Sequence, residues 1–380
     1  MSARIGRRAV LLAAFGSVAA ACGAEEDDVT GALSPMPARP DGPPVAAAAL
    51  KPVSYWAGIF LRAWNYQAET ALPLTRSADS WDHYNVSYTV DALVAMFRAT
   101  GERRYLDRAL QFTENVVATA VPRRGGYLGW VSAQEDGDEV PLYESYFWRY
   151  GTALLLALRE DPSAYADSRY RARYDRLLAF AEKHVFEKWH MRGPEETIYR
   201  ERTHMTAHWG LIATNLARCT IDSARRARYA AVIADVDQHV PGYGGGLKQQ
   251  MRRNPAEATA YFWSDVWGSG RRPGQDVSHG NGVLAYVVEA RDRGTTWTEA
   301  DMTAFSRLLT GVVWPGGTTY RAYVDGTGAD NGWFSDGFVK LGRYDAAVQQ
   351  RLESHQVVND QFAANMALNA RILRGKENGT

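Results

Sequence analysis

Five times along the chain, polar residues able to do chemistry stand just ahead of an apolar stretch. The first cluster is Trp81, Asp82, His83, Tyr84, Asn85 and Tyr88, and the second is Glu144, Tyr146, Trp148 and Arg149. The third holds Glu201, Arg202, His204, His208 and Trp209; the fourth holds Asp265, Trp267, Asp276, His279 and Asn281; the fifth holds Asp330, Asn331, Trp333 and Asp336. His204 and His208 are four residues apart and share a helical face. Zinc-protease spacing would put Glu after the first His, but Met205 stands there, so the pair suits proton transfer or charge stabilisation better than a metal. His279 follows a helix start that Asp276 and Ser278 can cap, which leaves His279 and Asn281 able to face a ligand. Asp82-His83-Tyr84-Asn85 can supply a general acid–base carboxylate or a capping cluster. Trp148, Trp209 and Trp333 serve equally well as stacking platforms or as core. Gly242–Gly246 lacks the Lys-Ser/Thr of a phosphate-binding loop and gives no nucleotide signal.

Residues so far apart meet only if the elements between them bring them together, and the apolar pattern indicates how. One theme repeats: an apolar helix, a turn at small or charged residues, then an amphipathic return helix. Val86–Phe97 runs through Thr100-Gly101-Glu102 into a return over 103–119, with Tyr105, Leu106, Ala109, Leu110, Phe112 and Val116 at helical spacing. Later copies span Tyr146–Leu158 with Tyr170–Phe186, Thr203–Ala217 with Ala224–His239, and Ser278–Ala290 with a return from Thr298 to Val313. Thr298 and Asp301 suit a capping box. A fifth copy starts near Trp333 and returns over Asp345–Glu353, and residues 56–67 and 357–373 supply the closing helices. Strand signals are confined to Gly125–Val131 and Thr318–Val324. About six hairpins, each needing neighbours to bury its apolar face, favour a closed ring over an open stack.

This hairpin rhythm, the Thr100–Leu106 turn, Asp276-Val277-Ser278-His279-Gly280-Asn281, Asn331-Gly332-Trp333 and Leu341-Gly342-Arg343-Tyr344-Asp345 resemble the six-hairpin (α/α)-toroid superfamily of glycoside hydrolases, polysaccharide lyases and uronate epimerases. The resemblance covers roughly residues 52–373. It implies an all-α (α/α)6 toroid in a single domain, with a carbohydrate site in the funnel at one end of the inner ring. If the apolar helices are that ring, their N-terminal ends share one mouth, and helix N-termini favour anions. Elimination next to a uronate carboxylate would use His204, His208, His279 and Tyr146 for proton transfer, with Arg149 and Asn281 at the carboxylate. His83, Asn85, Trp148, Trp209, Asp276, Trp333 and Asp336 would line the substrate. Hydrolysis needs two facing carboxyl groups, for which Asp82 and Glu144 are the pair to test. The expectation is a polysaccharide-acting enzyme with elimination on a uronate-containing chain preferred; hydrolysis and non-catalytic glycan binding are the alternatives. None requires a cofactor or a metal.

The N-terminus reads as a processing segment. Arg4, Arg7 and Arg8 precede the short apolar run Ala9–Ala21, and Val18-Ala19-Ala20-Ala21-Cys22 resembles a bacterial lipobox with Ala19 in place of the usual Leu. The resemblance implies lipidation at Cys22 and an envelope protein held to a membrane, and Arg7-Arg8 also resembles a twin-arginine export signal. Residues 23–51 read as a flexible linker, 52–373 as the toroid and 374–380 as a tail. Lys+Arg and Asp+Glu both number 43, so no basic field exists to hold a nucleic acid, and nothing indicates an obligate protein partner. With Cys22 assigned to the leader, only Cys219 remains and no intramolecular disulfide can form.

Overall fold

The computed structural model describes residues 49–192, 197–334 and 336–377. Twelve helices among the described residues build two layers: α1 (Val53–Arg62), α2 (Ser80–Thr100), α3 (Arg103–Ala118), α4 (Pro141–Glu160), α5 (Ser168–Phe180) and α6 (Thr203–Cys219) are followed by α7 (Ser223–Gln238), α8 (Val277–Asp292), α9 (Glu299–Arg307), α10 (Gly337–Lys340), α11 (Ala346–Leu352) and α12 (Asp360–Glu377). The even-numbered helices are the inner ones. Each packs on the next, from α2 through α4, α6, α8 and α10 to α12, and α12 packs back on α2, closing the circle. Outside it, α1 lies on α12, α3 on α2, α5 on α4, α7 on α6 and α11 on α12. The chain is an all-α (α/α)6 toroid.

Composition sorts the helices into layers. Val86, Val90, Leu93, Met96 and Phe97 bury α2 on nearly every face, as befits a helix with neighbours all round. On α3 the buried positions are Tyr105, Leu106, Ala109, Leu110, Phe112, Thr113 and Val116, while Arg104 and Asp107 face water. Asp79 starts α2 by accepting from the Trp81 N–H at 2.8 Å, seven residues before the apolar run begins at Val86. Gly101 ends it at φ 74°, a left-handed cap that glycine adopts without strain. Thr298 and Asp301 cap α9 reciprocally. The returns expected to reach Phe186 and Val313 as plain helices widen into π-helical turns at Ala181–Glu187 and Leu308–Val313.

Two expectations change. The inner helix expected near Trp333 begins only at Gly337 and gives way to a 3-10 turn at Leu341–Arg343. There the chain lies directly on the α8 backbone: a Cβ on Gly337 would stand 2.1 Å from the Asn281 carbonyl oxygen and 2.7 Å from the Ala285 nitrogen. Thr318–Val324 forms no strand pair, because Tyr323 bridges to Asp276 and the Ala322 carbonyl accepts from the Val277 N–H, seating the start of α8. The short ladders are Val121–Pro122 with Leu128–Gly129 and Arg252–Arg253 with Tyr261–Phe262.

Gly337→Ala forces two backbones apart, so urea unfolding is expected to show a loss of about 1–3 kcal/mol or more. Gly58→Ala on α1 meets nothing within 4 Å and is expected to be neutral or to gain up to about 1 kcal/mol from helix propensity. Equal stability of the two variants contradicts the close α8–α10 approach.

Candidate active site

The first turns of the inner helices bring the sequence clusters into one arc. Trp81 stacks on Tyr84 with ring centroids 4.9 Å apart and planes 7° apart. Tyr84 meets Tyr146 of α4 at 4.1 Å, and Tyr146 meets His208 of α6 edge-on at 4.3 Å. His204, one turn before His208, lies 4.3 Å from the His279 ring of α8 with their planes 30° apart. His279 Nδ1 donates to Asp276, 2.9 Å from Oδ2, and the same carboxylate caps α8 through the His279 N–H. Arg149 lies between the Tyr146 and Tyr150 rings and faces Asp336 at 2.9 Å. One turn deeper Lys340 pairs with Asp91 at 3.2 Å, and the Asp91 carboxylate accepts from Gln361 and Asn365 of α12.

Close approach of α8 makes this packing possible. A Cβ on Gly282 would stand 2.5 Å from His208 Nε2 and 3.3 Å from an Arg149 guanidinium nitrogen. The cluster is graded in exposure: His208 is fully buried and Arg149 1% exposed, whereas the His279 side chain is 40% exposed. Burial keeps His208 neutral, with Arg149 adding to the effect, and burial beside His279 pushes His204 down to about 3. Burial alone would also neutralise His279, but its hydrogen bond and attraction to Asp276 outweigh that and raise its pKa above the ordinary imidazole value. Burial opposes ionisation of Asp276 too, yet the bonds from His279 hold it below the usual carboxylate range. Burial raises Asp336 against the pull of Arg149 and Lys340, and it raises the Tyr146, Tyr84 and Tyr88 phenols, with Arg149 acting against it in all three.

His204, His208, His279, Tyr146, Arg149, Asp276 and Asp336 therefore meet. Asn281 sits beside them, but its amide is spent on backbone: it donates to the Trp333 carbonyl and accepts from the Phe338 N–H. Trp333 is half-exposed. Asp82 is half-buried on the first turn of α2. Other sequence candidates point elsewhere. Glu144 turns outward, accepting from Lys188 at 2.6 Å and from the Trp189 indole at 2.8 Å, so its carboxylate is a counter-ion in the wall. His83 donates to the Ser77 carbonyl and packs on Trp130 and Phe147, where burial pushes it down to about 4. Trp148 stacks on Phe180 and Trp209 is fully buried, which makes both of them core; Asn85 is exposed and donates to the Trp81 carbonyl. Tyr150, Asp91 and Lys340 were missed as site residues, although Tyr84, Tyr88 and Asp91 repeat at helical spacing into an apolar run and Lys340 follows Asp336 by one turn. Cys22 and the rest of the expected leader lie outside the described residues. Among the described residues no group of three His, Cys, Asp or Glu could hold a metal ion, and no helix is long and apolar enough to cross a membrane.

Fold and cluster together define the class: a six-hairpin (α/α) toroid with His, Tyr, Arg and Asp side chains gathered at the first turns of its inner helices. No protein-family model matches the sequence, and no curated protein matches it. Among solved structures the chain is similar to the alpha-1,6-mannanase GH76A of Salegentibacter sp. HEL1_6, at 12% identity over 82% of this chain and 99% of that one with a TM-score of 0.43. Inactive double-aspartate variants of that mannanase, in complex with alpha-1,6-mannotriose and alpha-1,6-mannotetrose, match at 11% and 12% identity. They cover 76% and 77% of this chain and 88% and 89% of theirs, with TM-scores of 0.42 and 0.43.

Glu144→Gln leaves the buried Lys188 ammonium with Glu139 alone. The expected cost is about 3–5 kcal/mol in chemical unfolding, with the His279 titration by NMR left in place. An unchanged stability contradicts the assignment of Glu144 to the wall.

Proposed function

We propose that the chain is a carbohydrate-active enzyme that acts on a polysaccharide at this mouth, and that it hydrolyses rather than eliminates. One observation carries the choice. The two groups an elimination would set against a uronate carboxylate are already committed, Arg149 to Asp336 and Asn281 to the backbone around Trp333 and Phe338. Among the described residues three further cations are paired as well, Arg202 with Asp265, Lys188 with Glu144 and His279 with Asp276. A buried guanidinium that gives up its carboxylate to bind a substrate leaves that carboxylate uncompensated, at a cost of several kcal/mol.

In the hydrolytic reading His279 is the general acid. Asp276 orients its ring through Nδ1 and stabilises the imidazolium, leaving Nε2 to give a proton to the departing glycosidic oxygen. Asp82 is the carboxylate assigned to the other side of the bond, to activate water or to attack the sugar carbon. The partly exposed rings of Trp81 and Trp333 offer faces for sugar stacking. A leader ending at Cys22 would carry this enzyme to the cell envelope and tether it to a membrane, where extracellular or periplasmic glycans are its substrates.

Incubation of the soluble domain with neutral and uronate-containing polysaccharides is expected to release reducing ends without an unsaturated, ultraviolet-absorbing product. An unsaturated product restores the elimination reading, and no product from any glycan leaves a binding protein. His279→Ala is expected to lower kcat by about 10²–10⁴-fold. A general acid must be protonated, so activity should fall as pH rises through the His279 pKa. Asp276→Asn removes the group that favours the imidazolium, so this alkaline limb should move to lower pH by ~1 unit. A limb that stays put, or one on the acid side that moves instead, contradicts the role given to His279.

A further inference from the structure

His279 is half-exposed on one side, and what lies on its other side is unusual. The His204 ring packs against it at 4.3 Å, is itself buried, and has no hydrogen-bond partner of normal geometry at Nδ1 or Nε2, although Gln275 stands beside it. A buried polar ring without partners costs stability, and a phenyl ring would stack there without that cost. The groups facing the pair are Asp276 on the same helix as His279, His208 one turn along α6, and Arg202 and Asp265 from the flanking loops. Among these His204 is the ring stacked on His279, with the two planes 30° apart. Asp276 holds one ring nitrogen, and the stack on His204 is a second contact, made to the face of the ring rather than to its edge.

We propose that His204 is a positioning residue that acts through His279: its buried ring is the platform that holds the His279 imidazole in the plane that keeps Nδ1 on Asp276 and Nε2 free for substrate. The catalytic consequence rests on the hydrolytic reading above, whereas the positioning does not. As a neutral imidazole, His204 also presents its π face to the His279 cation, and a second proton on the pair is opposed by like charge.

The test compares His204→Ala with His204→Phe in the folded protein, following the His279 ring by NMR alongside glycan turnover. Wild type is expected to show a slowly exchanging His279 Nδ1–H resonance. His204→Ala should lose that resonance and about 10-fold or more in kcat, with KM changed less than ~2-fold, the signature of lost orientation rather than lost binding. His204→Phe should keep the resonance and stay within ~3-fold of wild-type kcat, with the His279 titration little changed because the imidazole it replaces is already neutral there. His204→Ala with the resonance and titration of wild type overturns the proposal, as does His204→Phe behaving like His204→Ala. A lost resonance in His204→Ala, with no glycan turned over even by wild type, keeps the positioning role and removes the hydrolytic reading alone.

Discussion

A helix that is apolar on every face can be buried only if it has neighbours on every side, and the return of α12 onto α2 supplies the last of them. Without that contact α2 and α12 would each expose an edge, and the Asp91 carboxylate, which accepts from Gln361 and Asn365 across it, would lose both of these donors. Closure also decides where chemistry can occur. Because the inner helices enter from one side, the first turns of α2, α4, α6 and α8 form a single rim, and residues more than a hundred positions apart touch there. The catalytic reading is thus a consequence of ring closure, since no one hairpin holds more than a part of the cluster.

The axis is filled with charge, and that filling shapes what the mouth can bind. Arg149 with Asp336, and Lys340 with Asp91, occupy successive levels, and at the opposite end Glu289 binds Arg343 with Arg98 and Arg293 close by. Buried pairs of this kind contribute little to stability over well-packed apolar residues, but removing one partner is costly. The pairs therefore behave as fixed supports. His279, half-exposed and joined to Asp276, is the group the proposed mechanism leaves in reach of a substrate, with His208 and Tyr146 buried behind it.

Much of this was legible in the sequence. Helical periodicity and caps such as Thr298 with Asp301 located the hairpins, and their number indicated closure. The recurrence of His, Tyr, Arg and Asp ahead of apolar runs located the mouth. What sequence could not supply was the direction of each side chain. Glu144 and Tyr146 are two residues apart, so they point to different sides of α4, one to Lys188 in the wall and the other to His208 in the mouth. His83 and Tyr84 divide in the same way, and Trp148 and Trp209 turn to core. Setting Arg149 and Asn281 at a substrate carboxylate requires both to be free, and their partners come from α10 and the loop before it, more than fifty residues away in each case. Long-range pairing of that kind leaves no local signature.

Chemical modification of the folded protein by an imidazole-specific reagent, with each site located by mass spectrometry, tests the central claim most directly. His279 should be modified while the buried His204 and His208 are spared; loss of glycan turnover should track its modification, and an oligosaccharide substrate should protect it. Full turnover after complete modification of His279, or reaction of His204 and His208 at the same rate, would contradict a graded mouth with His279 at its working edge.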